Sequence, residues 1–490
     1  MLEITPNAAY TRYAKRWQRV DDIVDGEERL KEVDLNNITK GVYLRLINTS
    51  DTSERNKNRN REFIRGAVLY NATARTLSGL MGMLYRKQPE LPVFDNDLKM
   101  LVDNVDGSGL SMEQQSQSVS AGVIKNGRRG LLTDMPRNDD GSTKTRADVI
   151  NGFRPMIKEY SAASIVDWYD GVINGANKLT VLVLLEHYDV FTGAMMLDRE
   201  TKKRYLVYRL TNDGVTLQVL KEYGAQDEKN GMYADGDAMP ITGAENKKLD
   251  RIPFSFVGSK NNNSDVDSIP LEPVANVNFG HYQESANLSQ SSFSLSAVQP
   301  WVASDEFVRL MSDKTKNGGA VETGVDELIV VEAGGSFNFS APPPNTMSQS
   351  IQKDYEAQMV ASGAQLITAN GTEKTAEEAK INRSSEASDL TIISANVTNA
   401  YNERIKDACL MMGVTWKEEY NFKMNDSFFD TTVDTNKLAE LVRTWQAGGI
   451  SKDVLDYNLQ QGKIIKHDED LVKMNEAIAN ESGAPLEFEE

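Results

Sequence analysis

A single cysteine, Cys409, rules out an intrachain disulfide, and a reducing, cytosolic site of synthesis in the host fits that lack. Histidine is almost as scarce: His187, His281 and His467 are too far apart to make a zinc-ligand pattern. Long apolar runs are missing too. The densest, Leu179 to Leu185 (LTVLVLL), lies between Lys178 and Glu186 and falls far short of the roughly 20 residues that span a bilayer. It reads as a buried strand, and no membrane partner is expected. Glu3 stands where a secretory leader would carry basic residues, so export is not indicated. Positive charge is in deficit, with 54 Lys plus Arg against 72 Asp plus Glu, a net charge of -18. Such a chain is ill suited to wrapping nucleic acid by neutralising many phosphates.

The common catalytic motifs are absent as well. There is no Gly-x-x-x-x-Gly-Lys-Ser/Thr loop to cradle phosphates, no Gly-x-Ser-x-Gly elbow and no His-Glu-x-x-His. The acidic clusters Asp103 to Asp106 and Asp139 to Asp140 lack the Gly and Glu positions of a calcium loop and read as turns. His281 and Glu284, three apart, offer a metal-ligand spacing, but a surface or interface pair is the favoured reading. No catalytic residue, metal or cofactor is expected. The basic run Arg55, Lys57, Arg59, Arg61 and Arg65, diluted by Glu54 and Glu62, is open between phosphate, protein acids and water.

What is present describes a folded protein of about three packed units: 490 residues, 40% hydrophobic and 26% charged. Phe63, Ala67, Tyr70, Ala74, Leu77, Met81 and Leu84 predict one amphipathic helix over 63–84. Ser111-Met-Glu-Gln114 is a capping box for a helix ending at Gly127, followed by a strand from Gly130 to Pro136 and a polar loop over 137–151. From about 155 to 258 the period falls to two, with a hairpin from Tyr205–Leu210 to Val215–Leu220 across Thr-Asn-Asp-Gly. Gly258 to Pro270 has the composition of a linker, and Pro273 opens a polar helix reaching Ser296.

Strands return over 298–345, notably Glu327–Glu332 and Phe337–Phe339. Thr346-Met-Ser-Gln349 then caps a helix with Ile351, Tyr355, Met359 and Leu366 on one face. Thr375-Ala-Glu-Glu378 caps another that keeps three-or-four spacing to Gly413, about ten turns with a stripe of small residues that neighbours must cover closely. Tyr420 to Asp430 reads as a strand, Leu438–Trp445 and Ser451–Leu459 as short helices. The tail from His467 carries eight acidic residues against Lys473 and reads as a solvated face. The fold class expected is α+β.

This order of elements resembles that of bacteriophage portal proteins, the head-to-tail connectors. So do Tyr13-x-x-x-Trp17, Asn71-x-Thr-x-Arg-Thr-Leu-Ser-Gly-Leu80, Arg154-Pro155 with Tyr160 and Trp168, and Pro273 to Ala286 with His281-Tyr282. The similarity covers most of residues 10 to 415, and the last 75 match less clearly. The resemblance implies a non-enzymatic ring, usually of twelve copies, at one capsid vertex of the virion. Double-stranded DNA would pass through it non-specifically during packaging and ejection. The implied partners are further copies of the chain, the major capsid protein, the terminase large subunit, and a tail or adaptor protein.

Carried onto this chain, the resemblance implies a helical wing part over 1–154 and a β-rich wing module over 155–272. Stem helices follow at 273–297 and 346–367, flanking a clip at 298–345. A tunnel loop occupies 368–374, the long wing helix and following strand 375–433, and the crown helices with the acidic tail 434–490. Tunnel-loop candidates are Thr368, Asn370, Gly371, Thr372, Glu373 and Lys374, and Lys353 and Glu356 are channel-facing stem candidates. Asp305, Glu306, Arg309, Lys314 and Lys316 are candidate clip contacts for terminase or adaptor.

The charge is compatible with such a conduit. Twelve copies carry 12 × -18 = -216, and an acidic or neutral lining acting over a Debye length of about 8 to 10 Å keeps a duplex centred without trapping it. Gly371 would let the loop yield, although an ordinary interhelix loop has the same composition. Two other classes stay open at this point. One is a virion or surface scaffold without a DNA channel. The other is a metal-dependent nuclease built on carboxylates such as Asp103, Asp106 and Glu113.

Overall fold

The computed structural model describes residues 3–95, 97–135, 154–192, 198–223, 231–296, 299–303, 336–340, 346–362, 376–425, 435–447 and 449–452, with isolated positions near 305–312, at 334 and at 454–455. Two units divide the chain, Met1–Asp426 and Ser427–Glu490.

Six helices open the first unit: α1 (Ala8–Asp25), α2 (Glu27–Asn36), α3 (Glu54–Gly66), α4 (Ala72–Leu84), the single turn α5 (Met100–Asp103) and α6 (Met112–Asn126). The helix predicted over 63–84 is two helices. Ala67 to Asn71 leaves the helical path because its polar groups find partners elsewhere: Ser285 Oγ accepts from Val68 N at 2.9 Å, and Asn278 Nδ2 donates to Tyr70 O at 2.8 Å. Asn71 then caps α4 by accepting from Ala74 N at 2.9 Å. The capping box at Ser111 and Gln114 is formed in both directions, and Gly127 ends α6 at φ 72°.

The β module is two sheets. β1 (Arg128–Asp134) lies between β2 (Met156–Ser161) and β9 (Phe254–Gly258), antiparallel to both. The larger sheet runs β3 (Ile165–Ile173), β4 (Ala176–Thr192), β5 (Asp198–Thr211), β6 (Gly214–Glu222) and β7 (Met232–Ala234), with β8 (Met239–Ile241) also on β6. The hairpin has its predicted register, with Leu210 opposite Val215 and Thr211 opposite Gly214. Alternate residues Leu182, Leu184, Leu206 and Tyr208 pack with Phe254 and Phe256 of the small sheet in one apolar core.

Three long helices complete the unit: α7 (Glu272–Ser296), α8 (Thr346–Ala361) and α9 (Ala376–Met412). Between α7 and α8, β10 (Gln299–Ala303) pairs antiparallel with β11 (Ser336–Ser340). The predicted strand Glu327–Glu332 lies outside the described residues. α9 has the expected length and stops at Gly413, φ 69°. Its three-or-four stripe is buried through Leu390, Ile393, Val397, Tyr401, Ile405 and Ala408. It packs on α6, β1 and β9.

Two expectations are corrected here. Gly258 to Pro270 is no linker. Its loop is tied down by Asp267, whose Oδ2 accepts from Lys260 N at 2.7 Å and Asn261 N at 3.2 Å. Tyr420 onward is not a strand as far as it is described. Glu418–Tyr420 is a 3-10 turn, and one isolated bridge joins Lys423 to Glu90.

The second unit is described chiefly by α10 (Thr435–Gln446), the helix expected near 438–445. Of the helix expected over 451–459 the described residues reach 455, where Leu455 N donates to Ser451 O at 3.2 Å. The acidic tail lies outside the described residues. Among the described residues no helix is long and apolar enough to cross a membrane.

Candidate functional site: the paired helices α7 and α8

α7 is polar in composition yet half of it is core. Phe279 stacks on Tyr43 with centroids 4.9 Å apart, and Tyr282 is fully buried. Two of its polar side chains bond to the segments packed against it. Asn278 Oδ1 accepts from Thr73 Oγ1 at 2.9 Å and from Thr73 N at 3.2 Å, and Gln283 Nε2 donates to Tyr43 O at 2.8 Å. Glu272, at the start of α7, is held by the Arg16 guanidinium, a pair that raises the arginine above its ordinary range.

α8 lies against α7 and is exposed along most of its length. Ser348 and Met359 are its buried residues. Met359 joins Ala72 and Val274 in a small apolar cluster. One turn away, Gly280 permits close approach, because a Cβ there would sit 2.8 Å from the Tyr355 ring. Beside it His281 Nε2 is 3.6 Å from Glu356 Oε1, and the Tyr70 ring centroid is 5.8 Å from that of His281. Burial pushes the His281 imidazole below its ordinary value, while Glu356 pulls the other way. Phe293 on α7 and Met347 on α8 are large apolar side chains, each 74% exposed.

The sequence candidates fall as follows. Lys353 is exposed on α8, and Glu356, on the same helix, turns one carboxylate oxygen toward His281. Asp305 and Arg309 are exposed. Glu306, Lys314, Lys316 and the whole of Thr368, Asn370, Gly371, Thr372, Glu373 and Lys374 lie outside the described residues. His281 faces Glu356 rather than the Glu284 that sequence spacing offered, and among the described residues no group of three acidic, His or Cys side chains could hold a metal. The basic run is partly neutralised within α3: Glu54 pairs with Lys57 at 2.7 Å and Glu62 with Arg65 at 2.9 Å.

Of the carboxylates considered for a nuclease, Asp106 accepts from Ser108 N and Oγ at 2.8 Å, closing the expected turn. It also lines a cleft of about 590 Å³ together with Lys158, Glu159, Glu186 and Arg204. Lys158 there pairs with Asp134, Arg204 with Glu186 and Glu159 with Arg129. A feature that sequence reasoning missed is Arg128. Its guanidinium lies 4.0 Å from the ring centroids of both Trp168 and Phe256, buried between the sheets.

Residues 270–410, spanning α7 to most of α9, match the model of a family described as a domain of unknown function (DUF4055). No curated protein matches the chain. Among solved structures, the chain is similar to one in the virion of a native gene transfer agent (GTA) particle, at 12% identity and TM-score 0.37, covering 80% of this chain and 90% of that one. A chain in the neck of an empty GTA particle, computed with C6 symmetry, gives 13%, 0.34, 77% and 85% in the same order. One in the neck of a native GTA particle, computed with C12 symmetry, gives 10%, 0.34, 78% and 86%.

Proposed function

We propose that this chain is a portal subunit, one copy of a ring at a capsid vertex of a phage-like particle, through which double-stranded DNA enters and leaves. The observation that carries the reading is the order α7, β10–β11 ribbon, α8, then the 37-residue α9, which is the stem, clip, stem and wing order of the sequence resemblance. α8, bare on most of its surface, supports it, because a stem helix in a ring is covered by the neighbouring copy. The acidic net charge supports sliding rather than gripping of DNA.

In this reading Lys353 and residues 368–374 face the channel, and the segment between α7 and α8 carries Asp305 and Arg309 toward terminase and then an adaptor. The decisive measurement is the native mass and negative-stain shape of the purified chain. A twelvefold ring of 54.5 kDa copies weighs 12 × 54.5 = 654 kDa. A hollow ring at or near that mass supports the reading, and a chain that stays monomeric at high concentration counts against it. Deleting Asn370 to Lys374 is expected to spare the ring and impair packaging or retention of DNA. Normal packaging and retention would remove the loop's gating role.

A further inference from the structure

The turn Tyr355–Met359 contributes three contacts between α8 and the rest of the unit: Tyr355 over Gly280, Met359 into the Ala72 and Val274 cluster, and Glu356 toward His281. His281 is the titratable group buried in that contact, 7% exposed. Its Nδ1 is buried and has no hydrogen-bond partner among the described residues. From the segment before α4 it faces the Tyr70 ring. From α8 it faces Glu356, with Lys353 and Asp354 exposed on the same helix. Along α7 itself, Glu284 follows one turn later. Glu356 is the described group whose charge acts on the ring.

A neutral imidazole leaves Nδ1 as a lone pair, which burial tolerates. A proton on the ring makes both nitrogens donors, so Nδ1 becomes a buried N–H without an acceptor and the site must hold a positive charge. Glu356 offsets part of this from 3.6 Å, across a half-open surface. Moving the turn away from α7 lets water solvate the charged ring. We propose that His281 is a proton-operated release for α8, in which uptake of a proton favours separation of the Tyr355–Met359 turn from α7. The inference stands on this contact alone and holds whether or not the chain forms a ring.

The sign follows from linkage. Burial, against the pull of Glu356, holds the imidazole below its ordinary value in the closed contact, whereas the separated state takes its proton near the ordinary 6.5. Protons therefore favour separation as pH falls below about 6.5, and at pH 5.5 the gain has an upper bound of roughly tenfold.

The test is hydrogen exchange of the full-length protein at pH 7.5 and 5.5, corrected for intrinsic rates and read on peptides covering 353–361, with β4 peptides as the internal control. The expected result is a severalfold faster corrected exchange of 353–361 at pH 5.5, with β4 unchanged. His281→Gln should abolish that rise, and Glu356→Gln should keep or enlarge it, since the opposing carboxylate is gone. No rise in the unmodified protein overturns the proposal, as does slower exchange at pH 5.5, which would mean a tightened ion pair. An equal rise in His281→Gln, or its loss in Glu356→Gln, overturns it too. Should His281→Gln fail to fold, judged by lost β4 protection, the unmodified protein and Glu356→Gln decide.

Discussion

Asn262 and Asn396 clasp the loop after β9 to the middle of α9. The Asn262 side chain donates to the Asn396 carbonyl at 2.8 Å, and the Asn396 side chain donates to the Gly258 carbonyl at 2.9 Å. Asn396 is buried, so truncation leaves the Gly258 carbonyl without that donor. Asn396→Ala should lower stability by about 1–3 kcal/mol, while the exposed neighbour Asn263→Ala should stay within about 0.5 kcal/mol. Urea titration of the two variants separates them.

Gly280 and Tyr355 set the spacing of α7 and α8. Gly280→Ala places a methyl group against the Tyr355 ring and should cost about 1–3 kcal/mol. Tyr355→Ala in the same chain should recover part of that loss. A double-mutant cycle on unfolding free energies would show additive effects if the two residues do not meet.

Arg128 fills the slot between Trp168 and Phe256, and its Nη2 donates to Ser264 O at 3.1 Å. Arg128→Ala empties that slot and should destabilise by about 3–5 kcal/mol. Arg128→Met keeps most of the volume without burying a charge and should lie closer to the parent. Equal losses in the two variants, measured by denaturant unfolding, would mean that charge rather than packing holds the site.

Alkaline pH should destabilise the first unit. Burial raises the Tyr85 hydroxyl to about 12, opposed in part by its bonds to Ser116 and Ser120, and raises Tyr401 well above the ordinary 10. Both groups keep their protons in the folded chain at pH values where the unfolded chain loses them. Their stabilisation is therefore complete below pH 10 and declines as pH rises through the folded values. Thermal unfolding between pH 8 and 11.5 should show a falling Tm, with phenolate absorbance appearing together with unfolding rather than before it.

Much of this fold was legible where a local rule decides an element. Ser111 with Gln114 and Gly127 bound α6, the Thr-Asn-Asp-Gly turn set the β5–β6 register, and the unbroken spacing to Gly413 gave α9. What escaped depended on distant partners. The 63–84 periodicity hides a break because Val68 and Tyr70 bond to Ser285 and Asn278, far along the chain. The Asn-rich stretch after Gly258 looks like a linker because its composition does not record that Asn262 reaches Asn396. At the candidate site, helical spacing offered Glu284 as the partner of His281, and only the packing of α8 on α7 brings Glu356 there instead.

α9 has a mechanical consequence. Its 37 residues make a rod of about 55 Å at 1.5 Å per residue, and its buried contacts from Leu390 to Met411 grip the C-terminal half. The grip begins 14 residues from Ala376, about 21 Å along the axis, so each degree of tilt about Leu390 carries the Ala376 backbone through about 0.4 Å. A tilt of about 3° at Leu390 therefore reaches Ala376 as a displacement of about 1 Å.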